Sequence, residues 1–322
     1  MTTSSLGQYS LAGGYDPGNA DLFARNAIII DAPRREHLDQ AIRRLAAGPG
    51  GPGYSPQLDF EHGQPPSLAV MSASTMKVLV TGGTSGLGLA MASALAAAGA
   101  RVALTSRSAA QAVAVAAELP GAAGLEMDVR EESSVARAVG QAWSRLGGID
   151  MLVNNAGIGM RTVNPRFMTH PQGFWEVPAG GFRAVIETNL TGYFLVAREV
   201  TPRMLAAGGG RIVNISVSHS TMHRAGFIPY GPSRAGSEAL SRIMAADLRN
   251  TGVTVNLLLP GGVTVTGMLP PDARPTGHRF LDPAVMGPPI VWLASDEAAD
   301  VHDERIIAAE FENWLRDRKA RQ

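Results

Sequence analysis

The string Thr81-Gly82-Gly83-Thr84-Ser85-Gly86-Leu87-Gly88 follows the apolar run Val78-Leu79-Val80 and opens an alanine-rich helical stretch. Glycine is needed where a backbone bends tightly, approaches a pyrophosphate and lets a helix pack closely on its strand. Free N–H groups at the start of such a helix then hold the anion. The spacing predicts a dinucleotide site built on Gly82, Thr84, Ser85, Gly86, Leu87 and Gly88.

A second chemical signal lies one unit further on. Arg101-Val102-Ala103-Leu104-Thr105 reads as a short strand, and Ser106-Arg107-Ser108 follows it. At this strand end of a doubly wound fold a carboxylate accepts from a free ribose 2′-hydroxyl, whereas arginine accommodates a 2′-phosphate. Asp and Glu are absent here and Arg107 is present. The expectation is therefore NADP in preference to NAD, with Ser106 and Arg107 at the ribose; the competing reading leaves Arg107 a solvated charge.

Placing these residues requires an alternation of strands and helices. Leu125-Glu126-Met127-Asp128-Val129 reads as a third strand, residues 131–146 as a helix, and Asp150-Met151-Leu152-Val153 as the next strand. Arg211 to Ile215 and Val253 to Leu259 continue the series. At 322 residues the chain is long for one domain, but α/β folds of about 250 residues are commonly single. Residues 1–75 are rich in Gly, Pro and Ser, including Gly48-Pro49-Gly50-Gly51-Pro52-Gly53, and read as an N-terminal extension. Residues 311–322 read as a charged tail forming an amphipathic helix around Trp314 and Leu315.

Lys plus Arg and Asp plus Glu both number 28, so the formal charge is zero, and no field draws nucleic acid or an anionic membrane. Without cysteine there are no disulfides, no thiolate nucleophile and no Cys-ligated zinc. Apolar stretches are broken before spanning length, and the N-terminus lacks a basic region followed by an apolar one. A cytoplasmic protein acting on a small solute, without a metal, is expected.

Three more motifs follow in order: Asn154-Asn155-Ala156-Gly157 after the apolar strand, Tyr230-Gly231-Pro232-Ser233-Arg234, and Pro260-Gly261-Gly262 after Leu259. Together with the glycine turn they resemble the short-chain dehydrogenase/reductase family over residues 76–310. The resemblance implies a Rossmann-type, doubly wound parallel sheet flanked by helices, in one domain, with a nicotinamide cofactor. It implies that Asp128 and Val129 flank the adenine and that Asn155, Ala156, Gly157, Pro260, Gly261 and Val263 line the cofactor. It further implies that Tyr230 is the catalytic acid/base and that Asn189, in Glu187-Thr188-Asn189-Leu190-Thr191-Gly192, holds a relay water. Members commonly pair through the helices that here begin near Asn189 and Tyr230, so a homodimer or homotetramer is expected. Phe194, Leu195, Val196, Ala239, Leu240 and Ile243 supply its apolar surface.

Two positions depart from the family pattern. Arg234 stands where a lysine belongs; as a fixed cation one helical turn from Tyr230 it can favour the phenolate and donate to ribose hydroxyls, but it cannot release a proton near neutral pH. Val217 stands where a serine hydroxyl should meet the reacting oxygen. Ser218 substitutes if the strand end shifts by one residue, Ser216 less readily because neighbours alternate faces; His219 and His223 are further donors or simply solvated. The activity implied is hydride transfer between the nicotinamide and an alcohol or ketone carbon. The alternatives are a non-redox enzyme on the same fold, such as a dehydratase, isomerase or cyclase, and a nucleotide-binding subunit without catalysis. Residues 158–188 are expected to wall the substrate cleft, their aromatics lining a pocket or capping the core, and residues 264–286 to form a mobile lid.

Overall fold

A computed structural model describes residues 76–270 and 280–321. The expected extension over 1–75, the middle of the expected lid and Gln322 lie outside the described residues. Seven parallel strands, β1 (Lys77–Val80), β2 (Arg101–Ser106), β3 (Ala123–Glu126), β4 (Met151–Asn154), β5 (Gly210–Ile215), β6 (Val253–Leu259) and β7 (Arg305–Ile307), form one sheet in the order β3-β2-β1-β4-β5-β6-β7. Their near-continuous apolar sequences are what a sheet buried on both faces requires.

Side chains alternate across the strands and feed two separate cores. Val78 and Val80 of β1 face one layer, with Met91 and Leu95 of α1 (Gly86–Ala97), Ile290 and Trp292 of α8 (Gly287–Leu293) and Phe311 of α9 (Phe311–Arg321). Leu79 faces the other, with Val135 and Val139 of α3 (Glu132–Leu146) and Val196 and Val200 of α5 (Gly192–Ala206). Helix α2 (Ala109–Ala117) lies so close to β3 that a Cβ on Gly124 would stand 2.2 Å from the carbonyl of Ala112. Among the described residues no helix is long and apolar enough to cross a membrane.

The third strand differs from its expected span. It starts earlier, at Ala123, and ends at Glu126, because the Asp128 N–H turns off the ladder to donate to Ser134 Oγ at 3.0 Å. Strand β7, only three residues long, carried no alternation that could announce it. Strand order reverses between β1 and β4, so the crevice at their carboxyl ends is the switch point where an α/β sheet binds its ligand.

Candidate active site

The turn after β1 is stitched to the turn after β4 by side chains. Thr81 Oγ1 accepts from the backbone N–H groups of Asn155 at 2.9 Å and Ala156 at 3.0 Å, and Asn155 Nδ2 donates to the carbonyls of Thr81 at 3.0 Å and Gly82 at 3.1 Å. Asn155, assigned to the cofactor from sequence, thus holds the cradle's backbone, and Thr81 is a partner that sequence reading missed. Gly82 and Gly86 have φ of +62° and +53°. A Cβ on Gly88 would sit 2.3 Å from the Gly82 carbonyl, so only glycine lets α1 start here. Ser85 precedes α1 without capping it by its side chain, and the first N–H groups of a helix have no acceptor within the helix itself.

At the end of β2, Ser106 Oγ donates to Gln111 Oε1 at 3.0 Å, while Arg107 is exposed and has no ion-pair partner among the described residues. After β3 the Asp128 carboxylate is held below its ordinary pKa, chiefly by the Arg130 side chain, whose Nη2 lies 2.5 Å from Oδ2. Val129 is buried beneath Gly192, where a Cβ would meet it at 2.7 Å.

Asn189 sits in a π turn, Glu187–Thr191, between α4 (Ala179–Ile186) and α5. Such a turn re-aims backbone groups inside a helix and recurs at functional sites. Its side chain is fully committed: Oδ1 accepts from the Ile158 N–H at 2.9 Å, and Nδ2 donates to the Ile158 carbonyl at 2.9 Å and Ser233 Oγ at 3.0 Å. The Asn189 carbonyl accepts from Ser237 Oγ at 2.7 Å. Tyr230 begins α7 (Tyr230–Asp247), and its ring packs against Met160, Phe167 and Phe227.

Arg234, one turn along α7, is buried, with its guanidinium carbon 5.3 Å from the Tyr230 ring centroid. Nη1 donates to the hydroxyl of Tyr193 at 2.8 Å and to the Ile215 carbonyl at 3.0 Å. Burial works against its charge, but the Tyr193 and Tyr230 oxygens more than offset this, so its pKa stands above the ordinary guanidinium value. Nε is buried without a partner. A Cβ on Gly157 would lie 2.5 Å from Nη2, so glycine there makes room for the arginine.

The strand end that should supply a hydroxyl is otherwise engaged. Ser216 Oγ donates to Glu238 Oε1 at 3.2 Å; that carboxylate also takes Arg305 Nε at 2.6 Å and lies 3.2 Å from His219 Nε2. Arg305 Nη2 donates to the Val217 carbonyl at 2.9 Å, fixing the backbone at this position. Ser218 caps the short helix α6 (His219–Met222), its Oγ accepting from the Thr221 N–H at 3.3 Å and lying 2.8 Å from Thr221 Oγ1.

Of the aromatics in residues 158–188, Trp175 is exposed and takes neither expected role, and the others divide between the two. Phe167 caps the core edge-on to Phe227, centroids 5.6 Å apart, whereas Phe174 joins Val177, Ala179, Phe182, Arg183 and Ile228 around an open groove of about 290 Å³. Ile228 stands two residues before Tyr230. Beyond β6, Gly261 has φ +95° and the Pro260 carbonyl accepts from the Ala309 N–H at 3.1 Å. The Val263 carbonyl accepts from the Leu281 N–H at 2.8 Å. The segment then crosses the site: Thr266 abuts Gly86, Met268 abuts Gly159, and Arg161 Nη1 donates to the Gly267 carbonyl at 2.8 Å. Nothing in the sequence around Arg161 marked it as this tether.

The family model described as short chain dehydrogenase matches residues 76–275. The chain is 32% identical over 232 residues to a 2,5-dichloro-2,5-cyclohexadiene-1,4-diol dehydrogenase of Sphingobium indicum, covering 68% of this chain and 89% of the relative. A 3-ketoacyl-(acyl-carrier-protein) reductase of Brucella melitensis, solved with NADH, is 28% identical with a TM-score of 0.65, over 73% of this chain and 97% of that one. A short chain dehydrogenase of Burkholderia cenocepacia, solved with NADP, is 26% identical with a TM-score of 0.63, again over 73% and 97%. The chain belongs to the short-chain dehydrogenase/reductase family, as an oxidoreductase acting at an alcohol or carbonyl carbon.

Proposed function

We propose that this chain is an NADP(H)-preferring dehydrogenase/reductase of a small alcohol or ketone, with Tyr230 as its acid/base. The observation that carries the reading is the buried, permanently charged Arg234 beside the Tyr230 ring, at the carboxyl ends of strands whose switch point carries the glycine turn. Two features fit a bound dinucleotide. The turn at Gly82, Gly86 and Gly88 is a cradle that side chains would fill, and the unpartnered Arg234 Nε is a donor awaiting an oxygen.

When bound, the nicotinamide supplies or accepts the hydride. The protein's part is electrostatic and positional. In reduction Tyr230 gives its hydroxyl proton to the developing alkoxide, and the Arg234 charge stabilises the phenolate left behind. Arg234 does not itself pass on a proton, so reprotonation of Tyr230 draws on solvent. The groove beside Ile228 receives the apolar part of the substrate. We take the assembly to be a homodimer or homotetramer built on α5 and α7.

The preference for NADP rests on Arg107, exposed and free of an ion-pair partner among the described residues, with no carboxylate at the end of β2. A charge-assisted contact of about 1.5–3 kcal/mol corresponds to roughly ten- to hundredfold tighter binding of NADPH than NADH. Calorimetric titration of both cofactors, followed by turnover of NADPH over a panel of ketones, tests the proposal. Equal or tighter NADH binding overturns the preference; cofactor binding without turnover of any carbonyl or alcohol overturns the chemistry.

A further inference from the structure

Only one corner of the Arg234 guanidinium is anchored. Nη1 takes both acceptors, the Tyr193 hydroxyl and the Ile215 carbonyl, while Nε has none and Nη2 rests against the Gly157 turn. In the planar guanidinium, Nε–H and one Nη2–H project in parallel, and this edge grips two neighbouring oxygens at once. The anchored corner is therefore the one that leaves the bidentate edge without a hydrogen-bond acceptor beside Gly157.

Tyr193 is suited to this anchoring. It lies on α5, is fully buried, and donates its own hydrogen to the Ile215 carbonyl at 3.2 Å. With its hydrogen spent, its oxygen faces Arg234 as a fixed acceptor. Burial raises the phenol's pKa and the Arg234 charge offsets this only in part, so the acceptor stays neutral. A carboxylate in its place would cancel the cation, whereas a phenol orients it and leaves it charged. A lysine ammonium, with its donors spread tetrahedrally, has no single edge to orient. The need for an anchor comes with the arginine.

We propose that Tyr193 is a positioning residue: it fixes the Nη1 corner of Arg234 so that the Nε/Nη2 edge is presented to the paired ribose hydroxyls of the nicotinamide cofactor. This rests on the cofactor site proposed above.

The test compares wild type, Tyr193→Phe, Arg234→Lys, Arg234→Met and the Tyr193→Phe/Arg234→Lys double variant, measuring NADPH dissociation constants by calorimetry and unfolding temperatures without cofactor. Tyr193→Phe removes only the hydroxyl and should weaken NADPH binding about tenfold. In the Arg234→Lys background the same change should cost less than about twofold, because it acts through a guanidinium no longer present. Equal losses in both backgrounds, or unchanged affinity in Tyr193→Phe, overturn the proposal. So does a Tyr193→Phe protein that fails to fold while Arg234→Met folds, since the hydroxyl would then be serving the Ile215 carbonyl. Wild-type protein that binds neither NADPH nor NADH overturns the cofactor reading, and this proposal with it.

Discussion

At the scale of single residues, the proposed site joins a tyrosine acid/base to a buried arginine, a cation that cannot carry protons. If Tyr230 is the acid/base, Tyr230→Phe should reduce turnover by at least about 10² while NADPH affinity stays within about twofold, because only the ionisable oxygen is lost. Steady-state rates and calorimetry on the same preparation check this, and a fully active variant would move the chemistry elsewhere. The hydroxyl expected near Val217 gives a second prediction. Ser216 is bonded to Glu238 and Ser218 caps α6, so neither is free to aim a hydroxyl at substrate without giving up a structural bond. Val217→Ser should then raise kcat, by up to about 10², the usual worth of one preorganised donor. A rate left unchanged would mean that another donor already serves the oxygen. What could be read in the sequence here were residues whose neighbours along the chain define them: Asn189, Tyr230 and Arg234 stand in local motifs. Tyr193 and Thr81 act on partners distant in sequence, and a hydrogen bond between two helices or two turns leaves no local pattern.

At the scale of elements, the glycines separate two reasons for the same residue type. Gly88 and Gly124 each exclude a Cβ, Gly88 by the Gly82 carbonyl at 2.3 Å and Gly124 by the Ala112 backbone at 2.2 Å. Only the first touches the cradle. Gly88→Ala should break the Asn155 stitch and weaken cofactor binding at least about tenfold, whereas Gly124→Ala should cost stability alone, about 1–3 kcal/mol of overpacking. Thermal unfolding with and without NADPH distinguishes them, and a Gly124→Ala protein that folds but loses cofactor would refute the division. The positions of β1 to β6 were legible because buried parallel strands are near-continuous apolar runs, whereas the three residues of β7 were too short a run to stand out. The ends of β3 were not, since the Asp128 N–H leaves the ladder for a serine in the following helix, and the π turn at Asn189 has the composition of ordinary helix.

At the scale of the whole molecule, the helices expected to pair divide their apolar residues between core and surface. Leu195 and Val196 are buried and serve the core, whereas Phe194 is 44% exposed and Ile243 is 59% exposed. With Ala239 and Leu205 also outward, α5 and α7 present a face that water solvates poorly, and exposed apolar patches of this kind mark contact surfaces. A stable pair through it needs to bury about 1,200–2,000 Å² in total. Light scattering at micromolar concentration should therefore show a dimer or tetramer. Phe194→Arg combined with Ile243→Arg should split it, because two long charged side chains per copy would be forced into the seam opposite their own symmetry mates. The unfolding temperature of the split protein should become independent of concentration, as that of an assembly is not. An unaltered assembly in the double variant would place the contact on another face, and a monomeric wild type would remove α5 and α7 from any interface between copies.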